Sequence, residues 1–154
     1  MPSTQYVLGQ NSECESMKRV TGIGGIFFKA QEPDKLREWY AKHLGFKTNE
    51  YGSLFEWRST DAPERKGYTQ WTTFSEKTKY FAPSEKQFMI NYRVENLEKL
   101  VTLLREEGVT VVDEIETFEY GKFVHIMDPE GNKIELWEPV DVVFTAEYEG
   151  NTTH

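Results

Sequence analysis

The stretch FVHIMDPEGNKIELWEP, residues 123–139, predicts two short strands joined by a tight turn. Its centre, DPEG, places proline at the second turn position and supplies a glycine where a positive φ is needed. If Met127 pairs with Lys133, His125 faces Glu135 directly across the two strands. Because side chains alternate between the two faces of a strand, one face then carries Phe123, His125, Met127, Lys133, Glu135 and Trp137. The sequence therefore predicts a histidine–glutamate pair on one face of a sheet.

The rest of the chain indicates one order of elements, written twice. Helices are predicted in EPDKLREWYAKHLG (32–45) and ENLEKLVTLLREEG (95–108), each preceded by one strand candidate and followed by extended segments. An offset of 64 residues pairs Leu36 with Leu100, and the helix-ending glycines, Gly45 and Gly108, fall within one residue of that offset. One such copy is too small to bury a core of its own. We therefore expect an α+β fold of two strand–helix–strand–strand–strand modules, residues 20–78 and 85–140.

Composition and charge exclude several classes of protein. A chain of 154 residues that is 38% hydrophobic suits one globular domain. The net charge of −8, without a basic stripe, argues against a nucleic-acid partner. No apolar run reaches the roughly 18 residues that span a membrane, and the start of the chain lacks a secretory signal, so we expect a cytoplasmic protein without membrane contact. The single cysteine, Cys14, excludes a multi-cysteine metal site.

The two ends differ in composition from the central part. Residues 1–19 predict a polar N-terminal extension, and residues 141–154 predict an acidic, solvated tail without lysine or arginine. The domain proper is therefore expected to span residues 20–140.

The motifs DPEGNKIELWEP and DKLREWYAKHLGF, within two paired modules, resemble the vicinal oxygen chelate superfamily over residues 20–140. That group includes glyoxalase I, bleomycin-resistance proteins and extradiol dioxygenases. The resemblance implies two βαβββ modules whose curved sheets surround a cup-shaped cleft. It also implies, for metal-dependent members, histidine or glutamate ligands on the first and last strand of each module.

The ligand positions that the resemblance implies carry poor metal ligands here. They fall on Gly25, Trp71, Met89 and Glu135, and only Glu135 has a side chain that binds hard or borderline metals. We therefore expect no cofactor, with a divalent metal held by Glu135 as the alternative.

The predicted cup combines aromatic side chains with a few polar ones, which suits a small organic ligand. We expect its ligand-binding residues to be Phe27, Lys29, Trp71, Met89, Asn91, Arg93, Phe123 and Trp137. Trp71 could instead fill the cup as core. His125 and Glu135 are the candidate catalytic residues, because a carboxylate beside an imidazole can form a general base, and a hydrogen-bonded scaffold pair is the other interpretation.

Two classes of function follow. The first is a metal-free protein that binds a small organic molecule, similar to the bleomycin-resistance branch, for which the resemblance implies a homodimer, either exchanged or side by side. The second is a lyase or isomerase of glyoxalase type that uses a metal or the His125–Glu135 pair.

Overall fold

The computed structural model describes residues 18–153. One eight-stranded sheet is formed by β1 (Val20–Ala30), β2 (Thr48–Asn49), β3 (Gly52–Arg58), β4 (Lys66–Ser75), β5 (Phe88–Val94), β6 (Glu116–Phe118), β7 (Gly121–Met127) and β8 (Lys133–Pro139). The helices are α1 (Pro33–Leu44), α2 (Leu97–Glu106) and α3 (Asp141–Glu147). The first ten elements form the order βαβββ twice, which confirms the predicted α+β fold. The predicted extension, residues 1–19, lies almost wholly outside the described part of the chain.

The helix boundaries follow from local sequence. Pro33 begins α1, where its missing N–H group needs no partner, and Gly45 ends it with φ 73°. Asn96 caps α2 by accepting a 3.2 Å hydrogen bond from the backbone N–H of Lys99. None of the helices within residues 18–153 is long and apolar enough to cross a membrane.

The strands are arranged in the order β2-β3-β4-β1-β5-β8-β7-β6. The first strand of each module runs parallel to the last strand of the same module, and β1 pairs with β5 in the antiparallel direction. The sheet is therefore an open, curved one in which the two modules meet at β1 and β5.

The two long helices cover one face of this sheet, here called the helix face. Under α2, the side chains of Val94, Val124 and Leu136 form a buried cluster with Leu100 and Val101 of the helix. All of these residues belong to the second module, so α2 buries its apolar side against the strands of its own module.

The opposite face, here called the inner face, is covered by two other segments of the chain. The module linker, residues 76–87, places Phe81 (0% exposed) against Phe27 and Met89. At the other end of the sheet, α3 packs Phe144 against Trp137, with ring centroids 5.6 Å apart.

The C-terminal tail was expected to be a solvated end; no residue of its helix is buried, but parts of the tail contact the sheet. Its α3 contacts the inner face, and beyond it Thr153 hydrogen-bonds to the backbone of β3 beside Phe55. The apolar ring of Phe144, which contacts Tyr68 and Trp137, explains why this acidic segment packs against the sheet.

Candidate ligand-binding site

One row of side chains crosses the inner face through five neighbouring strands. Strand pairing places Gln70, Gly25, Asn91, Glu135 and His125 in this order on β4, β1, β5, β8 and β7. The predicted pairing of Met127 with Lys133, and of His125 with Glu135, is confirmed. The DPEG turn therefore fixes which residues of the hairpin reach the inner face.

Glu135 is the buried carboxylate of this row. It is 3% exposed, and its Oε2 lies 2.7 Å from Nε2 of His125. The hydroxyl of Tyr80 also donates to Oε2, and Asn91 Nδ2 donates to Oε1 over 2.7 Å. A buried carboxylate needs such partners to offset its lost hydration. Both oxygens of Glu135 are thus already bonded within the chain.

His125 lies between two carboxylates. Its Nδ1 is 2.6 Å from Oδ2 of Asp113, whose Oδ1 accepts from the backbone N–H of His125 over 2.8 Å. Burial lowers the pKa of His125, but the hydrogen bonds and charges of Glu135 and then Asp113 outweigh it, so the pKa lies above its usual value. With a carboxylate oxygen at each ring nitrogen, both nitrogens are placed to donate, which favours the imidazolium form.

Tyr80 closes this group from the module linker. Its ring stacks on Phe74 at 5.7 Å and meets the edge of the His125 ring at 5.4 Å. Burial, and then the negative charge of Glu135, raise the pKa of the Tyr80 hydroxyl far above its usual range, so the phenol stays neutral. Lys133 donates to the backbone oxygen of Tyr80 over 2.7 Å, and burial lowers the pKa of its amine.

A second polar group occupies the end of the inner face beneath α3. The guanidinium carbon of Arg93 lies 5.2 Å from the ring centroids of both Trp57 and Trp137. Arg93 donates to the backbone oxygen of Tyr68 over 3.3 Å and forms an ion pair with Asp141. The negative charge that neutralises the buried Arg93 is thus supplied by Asp141 of the C-terminal tail.

The predicted position of Trp71 in the cup was wrong. Its ring lies on the helix face, 4.7 Å from Tyr40 and 4.9 Å from Phe46. Gly25 pairs with Gln70 rather than with Trp71, so the neighbouring residue of β4 faces the cup. The repeat offset of 64 holds for the first strands but changes by one before the last strand, as the helix-ending glycines indicated, and a one-residue change exchanges the two faces of a strand.

The other predicted ligand residues do lie on the inner face, although parts of the chain cover them. Phe27 and Met89 are buried under Phe81, and Lys29 places its Nζ 5.6 Å from the Phe81 ring centroid. Phe123 stacks on Trp137 at 5.7 Å. A ligand contact by these residues stays a prediction.

Comparison with known proteins agrees with this architecture. A model of the Glyoxalase/Bleomycin resistance protein/Dioxygenase superfamily matches residues 22–136. The chain belongs to this superfamily. Among curated proteins, no significant match was found.

Solved structures with a similar fold include two methylmalonyl-CoA epimerases. Methylmalonyl-CoA epimerase from Mycobacterium tuberculosis aligns at 22% identity and TM-score 0.54, covering 82% of this chain and 93% of that one. A Streptomyces coelicolor methylmalonyl-CoA epimerase variant in complex with 2-nitronate-propionyl-CoA aligns at 19% identity and TM-score 0.55, covering 79% and 99%. At these identities the likeness shows the fold alone.

The inner face fits a superfamily-type divalent metal poorly. Of the implied ligand positions, Gly25 has no side chain, Met89 carries a thioether, and Trp71 faces away. The remaining ligand, Glu135, has both oxygens bonded within the chain. Within residues 18–153, no three His, Cys, Asp or Glu side chains are grouped so that they could hold a metal ion.

Three residues of the site were missed in the sequence: Tyr80, Asp113 and Asp141. Tyr80 and Phe81 form an aromatic pair in an otherwise polar linker, and that pair was a usable signal of burial. Asp113 is brought to His125 by an isolated β-bridge between Val111 and Ile126. No local sequence pattern predicts this bridge.

Proposed function

We propose that this protein binds a small organic molecule on its inner face without a metal, as in the bleomycin-resistance branch that it resembles. The observation that carries this proposal is the bonding of Glu135, whose two oxygens are shared among Tyr80, His125 and Asn91. A carboxylate in this state is an oriented hydrogen-bond acceptor rather than a metal ligand.

The same geometry argues for binding over acid–base chemistry. A general base must begin unprotonated, whereas the carboxylates beside His125 favour its protonated form. A general acid must release its proton near the working pH, whereas the raised pKa of Tyr80 opposes release. These residues are therefore better suited to orient a ligand than to react with it.

The ligand is expected to enter at Tyr80. This residue is 42% exposed and lies over Glu135, so movement of the module linker opens a path to the buried carboxylate. A ligand that takes the place of the phenol must then donate a hydrogen bond to Glu135. The rings of Phe74 and Phe123 favour an aromatic or amphipathic molecule with a hydroxyl or amine group.

A lyase or isomerase of glyoxalase type is the second candidate, either metal-dependent or using the His125–Glu135 pair. The 2.7 Å contact within that pair favours it. It requires Tyr80 to leave Glu135 and His125 to lose its proton before reaction. Turnover that disappears in both His125→Ala and Glu135→Gln, with ligand binding retained, would favour this candidate.

The proposed function is tested by a thermal-shift screen of untagged, EDTA-treated protein against small aromatic alcohols and amines. Binding to the native state raises the melting temperature by mass action. We expect hits on the wild type that are lost in Glu135→Gln and kept in Glu119→Gln, which alters an exposed carboxylate. The proposal fails if no compound stabilises the wild type, or if the same hits persist in Glu135→Gln.

We propose a homodimer as well, as the resemblance implies. Apolar side chains of β1 lie exposed in the middle of the helix face, namely Val20, Ile23 and Ile26. Such a patch is typical of a surface between two copies of a chain. Light scattering of the wild type and of Ile26→Lys gives the test: we expect twice the chain mass for the wild type and one chain mass for the variant.

A cytoplasmic location is part of the same proposal.

A further inference from the structure

Arg93 lies in a site that the glycines of β1 make possible. It is 5% exposed, although it extends across the neighbouring strand to the backbone oxygen of Tyr68. A Cβ atom at Gly24 would lie 2.9 Å from Cγ of Arg93 and 2.1 Å from Oδ1 of Asn91. Any larger residue at Gly24 would therefore have to displace Asn91, Arg93 or both.

The polar groups around Arg93 are not all satisfied by the chain. Three buried atoms have no hydrogen-bond partner within residues 18–153: Nε of Arg93, Oδ1 of Asn91 and Oδ1 of Asp141. A buried polar atom without a hydrogen-bond partner destabilises the fold. The site thus retains hydrogen-bonding capacity on an arginine that is itself more than nine-tenths buried.

Helix α3, which covers this site, makes few side-chain contacts of its own, although the tail beyond it is hydrogen-bonded to β3. Helix α3 has seven residues, none of them buried. Besides the ion pair of Asp141, it is held by the 2.8 Å hydrogen bond between Thr145 and the Tyr68 hydroxyl and by the ring of Phe144. The side chain of Asp141 as a whole is 31% exposed, although its Oδ1 is buried.

We propose that Arg93, with Trp57 and Trp137, is a subsite for a planar organic carboxylate, and that Asp141 is an internal competitor bound there in the free protein. The arginine fork can bind both oxygens of a carboxylate through Nε and one terminal nitrogen, and here Nε is free. The two tryptophan rings beside the guanidinium provide apolar surface for the rest of the ligand. This inference rests on the proposed function, because it names the ligand class for one end of the same inner face.

The test compares benzoate binding by the full-length wild type and by Asp141→Asn, measured by calorimetry and by tryptophan fluorescence. Removing the competing charge should tighten benzoate binding by roughly tenfold or more, as expected for a charge-assisted hydrogen bond. Adding Arg93→Met to Asp141→Asn should abolish binding. Phe144→Ala, which loosens α3 and leaves Arg93 intact, should also tighten it.

Two controls isolate the effect. Asp34→Asn removes the carboxylate of an exposed pair with Arg37 and should leave benzoate affinity unchanged. Benzyl alcohol, a neutral probe of similar size, should bind the wild type and Asp141→Asn equally. Equal benzoate affinity in the wild type, Asp141→Asn and Phe144→Ala would overturn the inference, as would binding that survives Arg93→Met. If the thermal-shift screen finds ligands that depend on Glu135 while benzoate affinity is the same in the wild type and Asp141→Asn, only this inference fails. If the screen finds none while Asp141→Asn tightens benzoate binding, the proposed binding at Glu135 fails and the Arg93 subsite stands.

Discussion

The hydroxyl of Tyr80, in the segment that joins the two modules, donates to the same oxygen of Glu135 that contacts His125. One linker residue therefore completes a chain of contacts from Asp113 through His125 and Glu135 to the surface. The bonding of the buried carboxylate and the closure of the inner face depend on the same side chain.

Replacing Tyr80 with phenylalanine should lower the free energy of unfolding by about 1.5–3 kcal/mol, because a hydrogen bond to a buried carboxylate is lost while the ring stacking remains. Urea denaturation measures this difference. Tyr120→Phe is the matched control: Tyr120 is equally exposed, at 42%, and its hydroxyl has no hydrogen-bond partner among the described residues. Equal stability of Tyr80→Phe and the wild type would show that this bond contributes nothing.

His125 should titrate above 6.5 in the folded protein, since Glu135 and Asp113 favour its charged form. NMR of the imidazole resonances measures this pKa, and Asp113→Asn should lower it. A folded-state pKa above the unfolded value means that the folded protein holds the proton more tightly.

Stability therefore follows pH in a defined direction. The contribution of His125 is fully present below about pH 6.5 and is lost as pH rises through its folded-state pKa. The free energy of unfolding of the wild type should fall over that interval, and His125→Gln should show a smaller fall. A wild type that gains stability over the same range, relative to His125→Gln, would contradict the assignment.

Trp71→Ala should destabilise the fold by about 3–5 kcal/mol, because a large buried ring is removed from contact with Tyr40 and Phe46. Affinity for any ligand of the inner face should be unchanged in the fraction that remains folded. Phe123→Ala should weaken binding instead. If Trp71→Ala lost ligand affinity without losing stability, Trp71 would be a ligand-binding residue rather than part of the core.

His125→Ala and Glu135→Gln should weaken ligand binding by similar amounts, and by more than their effects on stability explain, because the two residues act as one unit. The double variant should then bind little worse than either single variant. Calorimetric titration of a screen hit into the three proteins checks this. Unchanged affinity in both single variants would make the pair a structural scaffold.

Local sequence predicted those features that depend on local geometry. The DPEG turn fixed the pairing of His125 with Glu135, and the helix-ending glycines marked both module helices. The repeat offset failed at Trp71 because one residue of difference in loop length reverses the faces of a strand, and an offset taken from the helices cannot detect that change.

The contacts that close the inner face could not be predicted in this way. Tyr80, Phe81 and Asp141 come from segments without regular periodicity, and their placement depends on packing against strands that are distant in sequence. A polar linker and an acidic tail predict exposure on average. Here Tyr80 of the linker and Phe144 of the tail bury apolar surface against the sheet, which holds both segments in place.

The most direct test of metal-free binding is a calorimetric titration of the best screen hit into untagged protein, once after EDTA treatment and once after dialysis against zinc, cobalt, nickel and manganese. We predict the same Kd within about twofold in both preparations. Elemental analysis of the dialysed protein should show no stoichiometric metal. Binding that appears only in the metal-loaded protein, with about one equivalent of metal that is lost in Glu135→Gln, would contradict the account.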